Sequence, residues 1–452
     1  MSRVSALIWV VICTVLGALV WWTSPRPTIE TQGPPLLSVS AAEIRSIRIA
    51  DPAGATGTLE RGPLEGVWLL QLGSGPRAVA DAARVQGFLR LLSELRTTTA
   101  ADTRPMPRAA IVSLIGPAGV LASVALDTEF LAGRARAALV DDSGVVLRVA
   151  STSEDLAALV KPDALAEWRS KSLLPWAPDR SHALTLGRRD IEPSRWLTAE
   201  RSGSGWLLSA PLQLRAETAA AQGVSLWLAN ASVDRFLDQA PSEGFQPVRT
   251  LVVAADSLER RRIEQRIELG PELDPRSSLV RVQGVNADSG ATLWGPSYAV
   301  LQTSLLAGIT DDPAAFLTRV SFPFAAADVT AIDAGDRPVS RGPDGGFGSA
   351  DANARALLRL LTEIPATQIN ILPNESPSQA EPTTDTVTVR LLGVNNAELG
   401  RATLEADTIP SRTEGAPSVP AIRVTVDRVR RVIATERPRE FLASVKALAA
   451  NR

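Results

Sequence analysis

Glu60-Arg61-Gly62-Pro63-Leu64-Glu65-Gly66-Val67-Trp68-Leu69-Leu70 is written more than once in this chain. It returns as Glu200-Arg201-Ser202-Gly203-Ser204-Gly205-Trp206-Leu207-Leu208 and, worn, as Ser340-Arg341-Gly342-Pro343-Asp344-Gly345-Gly346-Phe347. Each copy runs from an arginine through a glycine-rich turn to an aromatic residue, the pattern of two strands joined by a hairpin. Arg61, Arg201 and Arg341 fall 140 positions apart each time. A period that long marks duplicated domains rather than a short-period solenoid.

The flanking elements repeat in the same order. In the first copy, Ile44 to Ile49 alternates apolar and polar residues as a half-buried strand does, and Thr56 to Arg61 and Val67 to Gln71 predict two more strands. Val79, Ala82, Val85, Phe88, Leu89, Leu92 and Leu95 line one face of a helix. A strand meander follows at 111–115, 121–126, 135–140 and 145–149, then short helices opening at Ser153-Glu154-Asp155 and at Asp163, the latter running through Trp168 toward Leu173. The second copy predicts a helix over about 217–237, strands at 250–254, 262–269, 279–283 and 292–294, and closing helices at 298–306 and 313–319. The third predicts a helix over 352–361, strands at 387–392, 400–405 and 422–426, and a last helix from Pro438 to Ala449. Leu174-Pro175-Trp176-Ala177 and Phe322-Pro323-Phe324-Ala325 form matching seams, where proline stops a helix and rings plug adjoining cores.

Val4 to Trp22 is a run of 19 residues without a charge. As a helix it would span about 28 Å, close to the hydrocarbon thickness of a bilayer. Trp21 and Trp22 end it where amphipathic rings favour the lipid–water boundary, and no small-x-small cleavage site follows. The expectation is a single-pass anchor over 1–22 that contacts the lipid bilayer through residues 4–22. A linker over 23–40 then leads to the bulk of the chain, outside the cytoplasm on the inner membrane.

Composition narrows the chemistry. The 452 residues are 45% hydrophobic and 21% charged, with a net charge of −2, so no global field recruits nucleic acid. His182 is the only histidine and Cys13 the only cysteine, which removes histidine-rich zinc sites and leaves a Ser-His-Asp triad one candidate base. The 49 carboxylates are scattered, and the adjacent pairs Asp141-Asp142 and Asp311-Asp312 read as turns. No cofactor, metal or catalytic signature stands out. Trp68, Trp206 and Phe347 hold equivalent positions and read as core plugs, as does Trp227 on a helix face. Arg61, Arg201 and Arg341 read as solvated or ion-paired strand residues, with equivalent ligand sites as the alternative. Trp168, Trp176, Trp196 and Trp294 are not placed inside or outside by the sequence.

The anchor, the opening Val39-Ser40-Ala41-Ala42-Glu43-Ile44-Arg45-Ser46-Ile47-Arg48-Ile49, the Glu60 to Leu70 cassette and the Ala80-Asp81-Ala82-Ala83-Arg84-Val85-Gln86-Gly87-Phe88-Leu89-Arg90-Leu91-Leu92 helix together resemble the bacterial domain-of-unknown-function family 4340. The likeness is clearest over about 37–180 and weaker beyond. Members often occur beside ABC transporter components of the gliding-motility type, so the resemblance implies an envelope accessory role and no reaction.

The expected architecture is α+β: an N-terminal transmembrane helix, then three tandem repeats over 41–176, 177–324 and 325–452. Each would pack a mainly antiparallel sheet on one long amphipathic helix. The expected function is that of a non-catalytic, membrane-anchored extracytoplasmic accessory or scaffold protein associated with ABC-type transporter subunits or an envelope complex. An extracytoplasmic glycan- or ligand-binding module is the alternative, and a hydrolase ranks last.

Overall fold

Alternation along Ser46–Ala50 buries Ile47 and Ile49 on one side and leaves Arg48 on the other, the two-residue period of a strand with one covered face. Around this strand the computed structural model builds the first sheet. The structure describes residues 33–450 apart from 52–53, 55, 98–105, 107, 128–134, 142–145, 153, 204, 212, 242–243, 305–308, 336–337, 373–385 and 411–416. These residues form two compact units that meet at Ser170 and Lys171.

In the first unit, β1 (Ser46–Ala50), β2 (Thr56–Arg61), β3 (Trp68–Leu72) and β4 (Ala78–Val79) step outward as antiparallel hairpins. Helix α1 (Ala82–Ser93) carries the chain back, and β5 (Ala109–Gly116) pairs with the other edge of β1. β6 (Gly119–Asp127), β7 (Ala135–Val140) and β8 (Val146–Thr152) then step outward in the opposite direction. The result is one sheet in the order β4-β3-β2-β1-β5-β6-β7-β8. The Asp81 carboxylate accepts from the N–H groups of Ala83 and Arg84 and so caps α1, whose Val85, Phe88, Leu89 and Leu92 are buried in the same core as Ile47 and Ile49. Two short helices, α2 (Glu154–Leu159) and α3 (Pro162–Ala166), bring the chain back to the first edge. There Ala80 bridges Arg169, and the Asp81 N–H donates to the Trp168 carbonyl at 2.7 Å.

The second unit repeats the plan. β9 (Ser181–Arg188), β10 (Leu197–Ser202), β11 (Gly205–Ala210) and β12 (Leu214–Ala216) step outward, and α4 (Thr218–Asn230) crosses back. β13 (Arg235–Leu237) joins the far edge, and β14 (Arg249–Asp256), β15 (Arg262–Asp274), β16 (Ser277–Asn286) and β17 (Thr292–Gln302) fill the sheet. The return contact recurs as well: Ala216 bridges Leu317, and the Glu217 N–H donates to the Phe316 carbonyl at 2.7 Å. Trp168 and Phe316 therefore do one job in successive copies.

The third sheet has β18 (Ala331–Asp333), β19 (Val339–Ser340), β20 (Gln368–Ile371), β21 (Thr386–Leu392), β22 (Glu398–Ile409), β23 (Val419–Val426) and β24 (Val429–Ala434), in the order β19-β18-β21-β22-β23-β24-β20. Helices α5 (Asp351–Thr362) and α6 (Pro438–Ala450) contribute Leu357, Leu361, Leu442 and Val445 to its core. Among the described residues, counterparts of β3 and β4 are missing. Gly345 and Gly348 take positive φ around Phe347, and a segment that rich in glycine lacks the side chains that hold a strand in a sheet.

Several expectations are corrected. The architecture is three mostly antiparallel sheets with few helices, and the helix crossing each sheet is only 12 or 13 residues long, not the long packing element anticipated. Among the described residues no helix is long and apolar enough to cross a membrane. The anchor over 4–22, with Trp21 and Trp22, lies outside the described residues, and the single-pass inner-membrane placement is not retained. Residues 298–302, expected to be helical, belong to β17, where pairing with β16 on one side and β13 on the other outweighs any local preference of so short an apolar run. Pro313–Phe316 is a single 3-10 turn, α4 ends at Asn230 because the chain turns there to reach β13, and α3 stops at Ala166.

Candidate functional site

The repeated arginines are brought onto their aromatic partners. The Arg61 guanidinium lies 5.0 Å from the Trp68 ring centroid, Arg201 lies 5.9 Å from Trp206, and Arg341 lies 5.0 Å from Phe347. Two of the three arginines also clamp the turn that leads into their sheet. Arg61 Nε donates to the Ile44 carbonyl at 2.7 Å and a terminal nitrogen donates to Ala41 at 2.8 Å. Arg341 does the same to Val329 at 3.1 Å and Ala326 at 2.9 Å. The glycine turn makes this possible. Gly62 N–H closes onto the Val67 carbonyl and Gly342 N–H onto Gly346, with Gly66 and Gly345 both at a φ of 80°.

Among the described residues the second copy lacks the clamp. Its turn is shorter, and the buried Trp206 Nε1 finds no partner there. Arg61→Ala is therefore expected to destabilise the first unit by about 1.5–3 kcal/mol, the range for hydrogen bonds to charged groups, chiefly through the bond to the carbonyl of buried Ile44. Arg201→Ala is expected to stay within about 0.5 kcal/mol of the parent, as exposed surface changes do. Parallel urea titrations of the two variants check the difference.

The remaining tryptophans serve packing. Trp168, Trp176 and Trp294 are buried with Trp68 and Trp206, whereas Trp196 and Trp227 are half-buried. None of the described tryptophans is exposed. Trp176 Nε1 donates to Ser181 at 3.2 Å, and Trp294 Nε1 donates to the Gln265 side-chain oxygen at 3.0 Å. Gln265 in turn donates to the Leu173 carbonyl at 3.1 Å, so a buried glutamine satisfies a ring nitrogen and the seam together.

Asp311 lies 3.7 Å from Arg188, while its neighbour Asp312 caps the following turn through the Ala314 N–H. Among the described residues no group of three or more His, Cys, Asp or Glu could hold a metal ion. His182 sits in β9 with Nδ1 3.8 Å from the Asp256 carboxylate. Burial pulls its pKa below the ordinary 6.5, and Asp256 opposes that only in part. The folded chain thus binds this proton less readily than the unfolded one. The contribution of His182 is complete above pH 6.5 and declines as pH falls below that value toward the depressed folded one. His182→Asn is expected to flatten this part of the acid limb when unfolding midpoints are compared between neutral and mildly acidic buffer.

The open face of the second sheet carries the most site-like surface. Leu251, Val253 and Ile267 point into the core, so Thr250, Val252, Arg266 and Glu268 point the other way. The Trp196 ring lies over Gly187 at one end of this face, and Phe245 covers Gly270 at the other. Between them is a concavity of about 570 Å³. Most of its charges are already partnered: Arg266 pairs with Glu264 at 3.1 Å, and Arg281 pairs with Glu268 while lying 4.9 Å from the Phe245 centroid, whereas Arg189 donates to the neutral Gln246 side-chain oxygen at 2.6 Å. Phe245 meets Tyr298 edge-on at 5.8 Å. Such a surface offers aromatic edges and fixed ion pairs to a polar partner but no free nucleophile or base. Sequence reasoning missed it because the ring–glycine contacts join residues on different strands and loops. Compared with protein-family models, with curated proteins and with solved structures, the chain finds no match.

Proposed function

We propose that this chain is a non-catalytic accessory or scaffold protein that presents repeated sheet surfaces to protein partners, the ABC-type transporter subunits that the family-4340 resemblance implies. The observation that carries the reading is the state of the charges on the open sheet faces. In the second and third sheets several of them are cross-strand pairs of arginine and carboxylate. In the third sheet, Arg423 bridges Glu405 at 2.9 Å and Asp407 at 2.8 Å, on the face opposite buried Ala402 and Leu404. Pairs of this kind give a mixed, patterned surface suited to selecting a complementary protein.

The glycan-binding alternative loses its main support, since it needs tryptophan faces open to solvent and the described ones are buried or half-buried. The test is native co-purification of the full chain. Recovery in fixed ratio with transporter subunits supports the proposal. Recovery of this chain by itself after gentle extraction, or saturable quenching of its tryptophan fluorescence by glycans, overturns it.

A further inference from the structure

Arg431 stands on the wrong side of its strand for a charged residue. In β24 it shares the inward row with Val429 and Ile433, and it pairs in register with Val424 of the core. It is 6% exposed. Its Nε donates to the Thr318 carbonyl at 3.1 Å, and among the described residues no carboxylate forms an ion pair with it. Burial lowers its pKa to about 10, with Asp427 opposing in part, so the guanidinium remains charged at neutral pH. A buried charge without a counter-ion carries a large desolvation cost, and it persists where something anionic completes it.

The surroundings supply the rest of a site. Arg431 lines a cavity of about 520 Å³ within the second unit, between the segment 317–323 and the end of the third sheet. Ser321 lines the same cavity, and its buried hydroxyl has no hydrogen-bond partner. Leu317, Phe322, Leu399 and Val426 give the wall an apolar stretch. Arg401 pairs with Glu398 at 3.3 Å, and Arg215 and Asp427 line the cavity with them, so with Arg431 its wall carries three arginines and two carboxylates, one positive charge in excess. A doubly charged phosphate would overshoot that balance and meet the two carboxylates, whereas a single carboxylate matches it.

We infer that this cavity binds a monocarboxylate with an apolar body, its head on the Arg431 guanidinium and the Ser321 hydroxyl and its tail along Leu317, Phe322 and Val426. A planar guanidinium fork suits a carboxylate, and a cavity of this size lies in the range of small-molecule sites. The inference goes beyond the scaffold reading and stands whether or not a partner protein is found.

Calorimetric titration of the full chain with octanoate, octanol and inorganic phosphate tests it. Octanoate is expected to bind saturably, and the other two at least tenfold more weakly. Arg431→Met is expected to cut octanoate affinity at least tenfold while leaving the unfolding midpoint unchanged or raised, because the variant removes an uncompensated charge. Ser321→Ala is expected to cut affinity several-fold without a loss of stability, and together with the wild-type titrations it decides the matter if Arg431→Met does not fold. Absence of saturable octanoate binding, octanol binding as tight as octanoate, phosphate binding tighter than octanoate, or undiminished affinity in a folded Arg431→Met or Ser321→Ala variant each overturns the inference.

Discussion

Trp168→Ala is expected to remove about 3–5 kcal/mol from the first unit, the range for truncating a buried aromatic side chain. Trp168 is 0% exposed and meets Phe88 of α1 edge-on, with ring centroids 5.2 Å apart. Its Nε1 donates to the Leu159 carbonyl at 3.0 Å, and its own carbonyl accepts from the Asp81 N–H where α1 begins. One residue thus joins the crossing helix, the short closing helices and the sheet edge. Removing its ring leaves a cavity at the point where the chain returns across the sheet, and the surrounding elements come from too many directions to collapse into it. A loss of that size consumes much of the stability typical of a domain. Hydrogen exchange on the full-length variant should show deprotection spreading over the strands at 46–152, with those at 249–302 unaffected. A loss below about 1 kcal/mol would mean that the return contact shared by Trp168 and Phe316 is incidental to the fold.

The second large effect is expected at Gly284. This glycine faces Trp294 in register across β16 and β17, and the indole lies flat over its backbone. A methyl group at position 284 would sit within the van der Waals envelope of the ring. The ring has nowhere to go, because Trp294 is 2% exposed and its nitrogen is held by Gln265. Gly284→Ala is therefore expected to cost about 1–3 kcal/mol through overpacking, at the upper end of that range. The mechanism makes a sharper demand. In a Trp294→Ala background the same substitution should cost almost nothing, so a double-mutant cycle by urea denaturation should return a coupling comparable to the single-variant penalty. Additive losses would show that the ring and the glycine do not share one site. Gly87→Ala is the counter-example. A methyl group there meets nothing within 4 Å on helix α1, and relief of backbone entropy should stabilise the first unit by about 0.5–1 kcal/mol.

Much of the strand pattern was legible from local sequence, and the reason is periodicity. Ile47 and Ile49 alternate with Ser46 and Arg48 because one side of a sheet is covered, and Val85, Phe88, Leu89 and Leu92 recur at helical spacing because one face of α1 is. The limits were equally physical. Tyr298 to Gln302 is too short an apolar run for its own preference to decide, and one of its two strand neighbours, β13, lies far back in the chain. The third copy keeps Arg341 and Phe347 but loses two strands, which only the glycine-rich backbone around Phe347 makes intelligible. Arg431 carries no local signal, since nothing nearby in the chain says which of two alternating rows will face the core.

The role of Arg61 shows the same division at a single residue. Its recurrence at a fixed spacing marked it as part of a repeated design. That its guanidinium reaches Ile44 and Ala41 depends on β1 and β2 lying side by side, which is a fact of pairing and not of neighbourhood in the chain.

The linear pattern by itself determined the alternation of the strands and the apolar face of the crossing helix, because each depends on residues within a few positions of one another. Tertiary structure alone decided which strands became neighbours, which rings lie over which glycines, where an arginine is left without a counter-ion and how the chain divides into units. Those outcomes depend on contacts between segments whose separation in the chain carries no signal, and long-range pairing overrides local preference wherever the two differ.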